Sequence, residues 1–256
     1  MPEAPQKPSA LAAKLHFSRF EFKYVLPKEL RDEVESELSH FVALDPYVQK
    51  QEGHKYMVRS LYWDDQRLTA YNDKIDGIIH RSKFRLRTYT SDAQSSAQRF
   101  LEIKGRHDSL VFKHRIPVDI GPDEASVGGP DLSELILART EDSEVRNRFL
   151  FSVLKRRIKP YAVVDYLRRP YISRFDPEFR LTFDEQLQGV ESDQLFPSTL
   201  DRARRIAPGY TVMELKFRRH VPSWFHRIIQ AYELRRRSFS KICAATVALG
   251  LVEDED

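Results

Sequence analysis

The chain has 256 residues, 41% of them hydrophobic, with 16 Phe and a formal net charge of only +4. That composition excludes global disorder and excludes a bulk polycation, so any anion binding must come from where the charges sit. A single cysteine, Cys243, excludes an internal disulfide and fits a cytoplasmic protein, and no run of about 18 apolar residues predicts a membrane span.

Residues 1–15, rich in Pro and Ala, read as a disordered tail without a signal-peptide pattern, and 16–251 as one folded domain. Phe17 to Val25 alternates, with Arg19, Glu21 and Lys23 on one strand face and Phe20, Phe22 and Tyr24 on the other. Pro27 opens a helix whose stripe is Leu30, Val34, Leu38, Phe41 and Val42, ended by Asp45-Pro46. Lys55 to Asp64 is a second strand. A loop or short helix then leads to the Asp76-Gly77 turn.

Arg81 to Tyr89 is the most telling strand. Arg81, Lys83, Arg85 and Arg87 share one face, opposite Ser82, Phe84, Leu86 and Thr88. The next strand sets Glu102, Lys104 and Arg106 against Leu101 and Ile103. A turn at His107-Asp108-Ser109 leads to a strand with Lys113 and Arg115 on one face. Gly121 to Pro130 reads as a flexible insertion, and Asp131 to Ile158 as one or two helices stopped by Pro160.

Tyr161 to Arg169 and Tyr171 to Phe175 read as two strands, with Tyr166 and Arg168 on one face of the first. Phe179 to Asp184 sets Arg180, Thr182 and Asp184 against Phe179, Leu181 and Phe183. Residues 186–208 read as irregular. Tyr210 to Arg218 is the last strand, with Glu214, Lys216 and Arg218 on one face. A helix follows Pro222, and a final one runs from about Ser240 to Leu249 before an acidic tail at 253–256.

The polar faces of these strands are overwhelmingly cationic, with only Glu21, Glu102, Asp184 and Glu214 among the bases. Like charges opposite one another destabilise a sheet, so so many together imply an anion between them. Apolar outer faces covered by amphipathic helices, with the cations inside, make a barrel with a charged lumen. Phosphate chains suit such a lumen, since Arg gives bidentate donors and Lys point charges. A narrow tunnel excludes duplexes, and the cations lack the interleaved exposed aromatics of single-strand binders, so no nucleic acid is expected. A carboxylate among so many bases is either their ion-pair partner or a ligand for Mg²⁺ or Mn²⁺.

Nine motifs in order carry a resemblance. They are Arg19-Phe-Glu-Phe-Lys-Tyr24, Ser60-Leu-Tyr-Trp-Asp64, Lys83-Phe-Arg-Leu-Arg87, Glu102-Ile-Lys104, Lys113-His-Arg115, Tyr166-Leu-Arg-Arg-Pro-Tyr171, Arg180-Leu-Thr-Phe-Asp184, Glu214-Leu-Lys216 and Ser240-Lys241. Together, over about Phe17 to Leu249, they resemble the VTC domain, the polyphosphate polymerase domain of the vacuolar transporter chaperone family. That family belongs to the triphosphate tunnel metalloenzymes. The resemblance implies an α+β fold with a closed antiparallel eight-stranded tunnel, helices outside, and a divalent metal, Mn²⁺ or Mg²⁺.

It also implies site roles. Lys23, Arg85, Arg87, Lys104, Lys113, Arg168 and Arg180 match phosphate-binding basic positions. Glu214 matches a metal-binding glutamate, and Ser240 and Lys241 a terminal phosphate-binding pair at a helix start. Lys83, Arg115 and Lys216 join the phosphate contacts by sharing these strand faces. Tunnel hydrolases carry Glu-x-Glu-x-Lys in the first strand. Here Arg19 replaces the first glutamate, which leaves Glu21 as the second candidate ligand and turns the sequence towards the polymerase branch.

The implied activity is transfer of the γ-phosphoryl group of ATP to a growing polyphosphate chain. A tripolyphosphatase or nucleoside triphosphatase of the same fold, or a non-catalytic polyphosphate-binding module, are the alternatives. The partners are then ATP and polyphosphate. Membrane coupling, known in the eukaryotic family, would need a membrane-protein partner.

Overall fold

The computed structural model describes residues 20–107, 110–198 and 202–252. Arg19, both tails and the Asp108-Ser109 turn lie outside the described residues. The strands are β1 (Phe20–Pro27), β2 (Val42–Leu44), β3 (Tyr56–Asp64), β4 (Arg81–Thr88), β5 (Arg99–His107), β6 (Leu110–Val118), β7 (Lys159–Ser173), β8 (Arg180–Glu191), β9 (Arg204–Arg205) and β10 (Tyr210–Phe217). The helices are α1 (Lys28–Leu38), α2 (Thr69–Ile75), α3 (Gly129–Ala138), α4 (Glu144–Arg156), α5 (Ser223–Ala231) and α6 (Lys241–Ala248).

Eight strands form one antiparallel path in the order β1-β10-β8-β7-β3-β4-β5-β6. β2 adds to β7, and β9 to β8. Among the described residues no backbone pairing joins β1 to β6, so hydrogen bonds do not close the sheet into the expected tunnel. A side-chain contact bridges the two ends instead. Lys104 Nζ on β5 lies 3.0 Å from Glu21 Oε1 on β1.

Three apolar clusters hold the sheet. Phe84, Leu86, Leu101 and Ile103 pack under α3 and α4. Leu181, Phe183, Met213 and Leu215 pack under α1 and α5. These two clusters use the faces opposite the bases, as the alternation requires. In the first, Phe149 is fully buried edge-on to Trp63 at 5.6 Å, and the Trp63 indole donates to Ser133 Oγ at 3.0 Å.

The third cluster departs from expectation. Ile242, Cys243 and Ala245 of α6 pack with Val58, Tyr62, Val164, Tyr166 and Val212, on the same sheet face as the bases. So not every helix lies outside: α6 plugs the inner face over β7 and β8. Its residues are apolar almost all round, the pattern of a helix buried on more than one side.

The remaining differences are local. α1 stops at Leu38, and Val42–Leu44 is a strand that borrows the end of β7. β7 is one 15-residue strand through Pro170, which needs no amide there because β2 begins pairing only at Tyr171. β8 continues to Glu191 past a left-handed Gln186 (φ 51°), where its register with β7 shifts. This bulge resets the alternation, so Leu187 joins the inner cluster. Asp64 ends β3 by accepting the amides of Asp65, Ala70 and Tyr71 at 2.9, 2.9 and 3.1 Å, anchoring α2.

Phe149→Ala removes the ring on which α4 closes the first cluster. A loss of about 3–5 kcal/mol is expected, read as a lower urea midpoint with an unchanged slope.

Candidate anion-binding site

The strand register converts the basic sequence pattern into rows. Across β4, β5 and β6, Lys83 faces Lys104 and Lys104 faces Lys113. The next row is Tyr62, Arg85, Glu102 and Arg115. On the other half of the sheet, Glu21 faces Lys216, which faces Arg180, and Lys23 faces Glu214, which faces Thr182. Directly opposed side chains start about 5 Å apart at Cβ. Two ammoniums held at that spacing would repel by about 3 kcal/mol at an effective dielectric of about 20.

The three lysines avoid this by reaching for separate acceptors. Lys83 Nζ donates to Cys243 Sγ at 2.9 Å, Lys104 to both oxygens of Glu21 at 3.0 and 3.1 Å, and Lys113 pairs with Glu102 at 2.7 Å. No acid lies within their own row.

Four carboxylates organise the bases. Glu102, fully buried, accepts from Arg85 Nε at 2.7 Å and lies 3.7 Å from Arg87. Burial resists its ionisation, but Arg85, Arg87 and Lys113 hold it far below the usual carboxylate range. Asp184, also fully buried, takes Arg168 bidentately at 2.6 and 2.8 Å and pairs with Lys241 at 2.5 Å. Glu214 pairs with Lys216 at 2.8 Å. Burial opposes its charge, yet Lys216, Lys23, Arg168 and Lys241 keep it well below its ordinary value. Glu21 is opposed by burial and by Glu214, and is brought down to about 2 by Lys104, Lys23 and Lys216. Glu21 and Glu214 therefore sit within electrostatic reach of one another.

The other sequence-derived residues fall around these. Lys23 also donates to the Phe239 carbonyl at 2.9 Å. Arg87 donates to Ser60 Oγ at 3.1 Å and to the Tyr166 hydroxyl at 3.4 Å. Arg115 stacks on Phe100 at 4.7 Å, and Ser240 caps α6. Arg180 is exposed and has no ion-pair partner among the described residues.

Sequence reading missed two residues that order this site. The Tyr62 hydroxyl accepts from Arg85 at 3.0 Å, and the Tyr166 ring lies under Lys241 at 4.7 Å and Arg168 at 5.2 Å. Their signal was a place within the Ser60–Asp64 and Tyr166–Tyr171 motifs, which by itself assigns them no role.

Among the described residues no three Asp, Glu, His or Cys side chains could jointly hold a metal ion. The donors present nonetheless suit Mg²⁺ or Mn²⁺, which take one or two protein carboxylates and complete their shell with water and phosphate oxygens. Glu214 and Glu21 are such a pair. Thr182 Oγ1, buried directly across from Glu214, has no hydrogen-bond partner among the described residues and would add a neutral oxygen.

The VTC domain family model matches residues 18–249. The chain belongs to the VTC domain family. Among solved structures, a Bacillus halodurans protein solved as a candidate adenylate cyclase is 15% identical, with a TM-score of 0.51 over 87% of this chain and 94% of that one. A Hippeastrum candidate adenylyl cyclase, described with a dominant triphosphatase activity, is 13% identical with a TM-score of 0.48, covering 90% and 95% of the two chains. A Pyrococcus horikoshii OT3 protein is 11% identical with a TM-score of 0.41, covering 86% and 95%. No curated protein matches the chain. The family match, with a fold shared at the level of the Bacillus protein, places the chain among the triphosphate-tunnel proteins.

The VTC domain's Lys113 gives a pH test. Partial desolvation on the sheet face and the Arg85 guanidinium pull the ammonium of this 40%-exposed side chain down to about 7, against the pull of Glu102. It is thus charged below about pH 7 and largely neutral above. An incoming polyanion favours the charged form, so tripolyphosphate binding at pH 8 should take up more protons, or release fewer, with the wild-type protein than with Lys113→Met. Calorimetry in buffers of different ionisation enthalpy reads this difference; equal proton uptake by the two proteins would show that Lys113 does not titrate on binding.

Proposed function

We propose that this VTC domain is a metal-dependent polyphosphate polymerase that moves the γ-phosphoryl group of ATP onto a growing polyphosphate chain. The observation that carries this is the Lys83–Lys104–Lys113 row beside the Arg85–Glu102–Arg115 row. Such a surface tolerates itself best with a linear polyanion laid across it. The VTC family match gives that anion its chemistry.

Lys23, Arg85, Arg87, Lys104, Arg168 and Arg180 hold the reacting phosphates in line and take up the charge that spreads over the transferring group. Lys83, Lys113, Arg115, Lys216, Ser240 and Lys241 bind the rest of the phosphate run. Glu102 and Asp184 fix the guanidinium forks of Arg85 and Arg168, so little reorganisation accompanies reaction. Glu214 and Glu21 would hold Mn²⁺ or Mg²⁺, which supplies charge neutralisation at phosphate oxygens.

The bond from the γ-phosphorus to the ADP oxygen breaks, and one to the terminal oxygen of the chain forms. That oxygen is already ionised, so no protein base is needed. No helix of the described residues is long and apolar enough to cross a membrane. A cytoplasmic setting, and a membrane-protein partner for any transport of product, belong to this same reading.

Incubation with ATP and Mn²⁺ should yield polyphosphate rather than free phosphate alone. Arg85→Ala should lower that yield by about 10²–10³-fold. Free phosphate without chain growth would instead mark a hydrolase. Binding without turnover at any metal would mark a binding module.

A further inference from the structure

A cavity of about 200 Å³ opens between α2, the 238–240 segment and α6. Its walls include Tyr71, Ile75, Phe239, Ala244 and Val247, with one ammonium, Lys74. The mixture is unlike the lumen. Phosphate chains have no use for aromatic and aliphatic walls, and a core crevice would not carry a lysine with no ion-pair partner among the described residues. Ile75 is 50% exposed here. That is costly for a large apolar side chain on a surface otherwise rich in charge.

The cavity adjoins the cation rows. Cys243 lines it, and its sulfur takes the Lys83 ammonium. Phe239 lines it too, and its carbonyl takes Lys23. A second space of about 320 Å³ shares Lys74, Ile75 and Ser238 with it and runs on to Arg81 and Arg106. Lys74 is near enough to Arg81, Lys83 and Lys23 for them to lower its affinity for protons, on top of burial. An anionic group at this junction would meet cations on one side and an apolar slot on the other.

Resting on the polymerase reading, we infer that this slot is the nucleoside subsite, taking the base of a nucleoside triphosphate whose phosphates run past Lys83 and Lys23 into the lumen. The size is right for one ring system, since an apolar cavity of about 150 Å³ holds benzene. Tyr71 and Phe239 supply ring faces and edges, and Val247 and Ala244 a floor. Aromatic contacts of this kind accept any base, so the slot distinguishes a nucleotide from bare tripolyphosphate more than one nucleotide from another.

The test compares ATP with tripolyphosphate, which has the same phosphates and no base. Ile75 is half-exposed and belongs to none of the three apolar clusters, so Ile75→Trp fills the slot from α2 without entering the core, and Val247→Trp fills it from α6 at a part-exposed position that packs against the third cluster. The wild-type protein should bind ATP more tightly than tripolyphosphate by calorimetry. Each variant should bind ATP at least about tenfold more weakly, and tripolyphosphate within about twofold of wild type; retained tripolyphosphate binding also reports an intact fold. Unchanged ATP affinity in both variants overturns the inference, as does equal wild-type affinity for the two ligands or a parallel loss of both in both variants. Each of these leaves the polymerase reading standing. Wild-type protein that binds neither ligand overturns that reading and this one together.

Discussion

Three lysines stand abreast on β4, β5 and β6, and the inner face is arranged around that fact. Antiparallel register fixes where their Cβ atoms are, so the chain cannot move them apart by sliding. It can only send each ammonium to a different acceptor: a thiol on α6, a carboxylate on β1, and a buried carboxylate on β5. Two of the three acceptors come from elements distant in sequence. The repulsion is therefore relieved only when the whole sheet has curled and α6 has docked.

The buried acids follow the same logic. A carboxylate at the position of Glu102 or Asp184, with no access to water, would be untenable without its arginine. Each is met by a fork of donors and by a lysine. The pairing works in both directions: the acid stays ionised and the guanidinium is held in one orientation. Arg59 and Asp165 repeat the arrangement on the other face, with Arg59 Nη2 2.7 Å from Asp165 Oδ2, both buried and remote from the phosphate rows. Buried ion pairs in this chain are thus not by themselves a mark of the site. What marks the site is the surplus of base over acid on one face.

α6 links the core to the chemistry. Its apolar residues complete the third cluster, and that packing carries Ser240, Lys241 and Cys243 to the inner face. Lys241 reaches Asp184, already held by Arg168, so the helix is tied by charge as well as by apolar burial. One short helix therefore closes part of the inner face, supplies contacts to the bases, and walls the cavity beside α2.

The sequence by itself determined most of the long strands, their faces and the cationic surplus, because side-chain alternation is a local property of extended chain. It singled out the bases of the rows, and the ordered motifs from Arg19 to Lys241 placed it in its family. It did not show that β8 continues past Gln186, since a left-handed residue breaks the alternation that reveals a strand. It did not show that Tyr62 and Tyr166 hold Arg85 and Arg87, since an aromatic on a mixed face looks the same whether it packs or accepts. Only the tertiary structure decided that α6 lies inside, that Glu21 reaches across to Lys104, and that the lysines share a row. Each of these depends on register and curvature between segments far apart in the chain, and no local pattern encodes them.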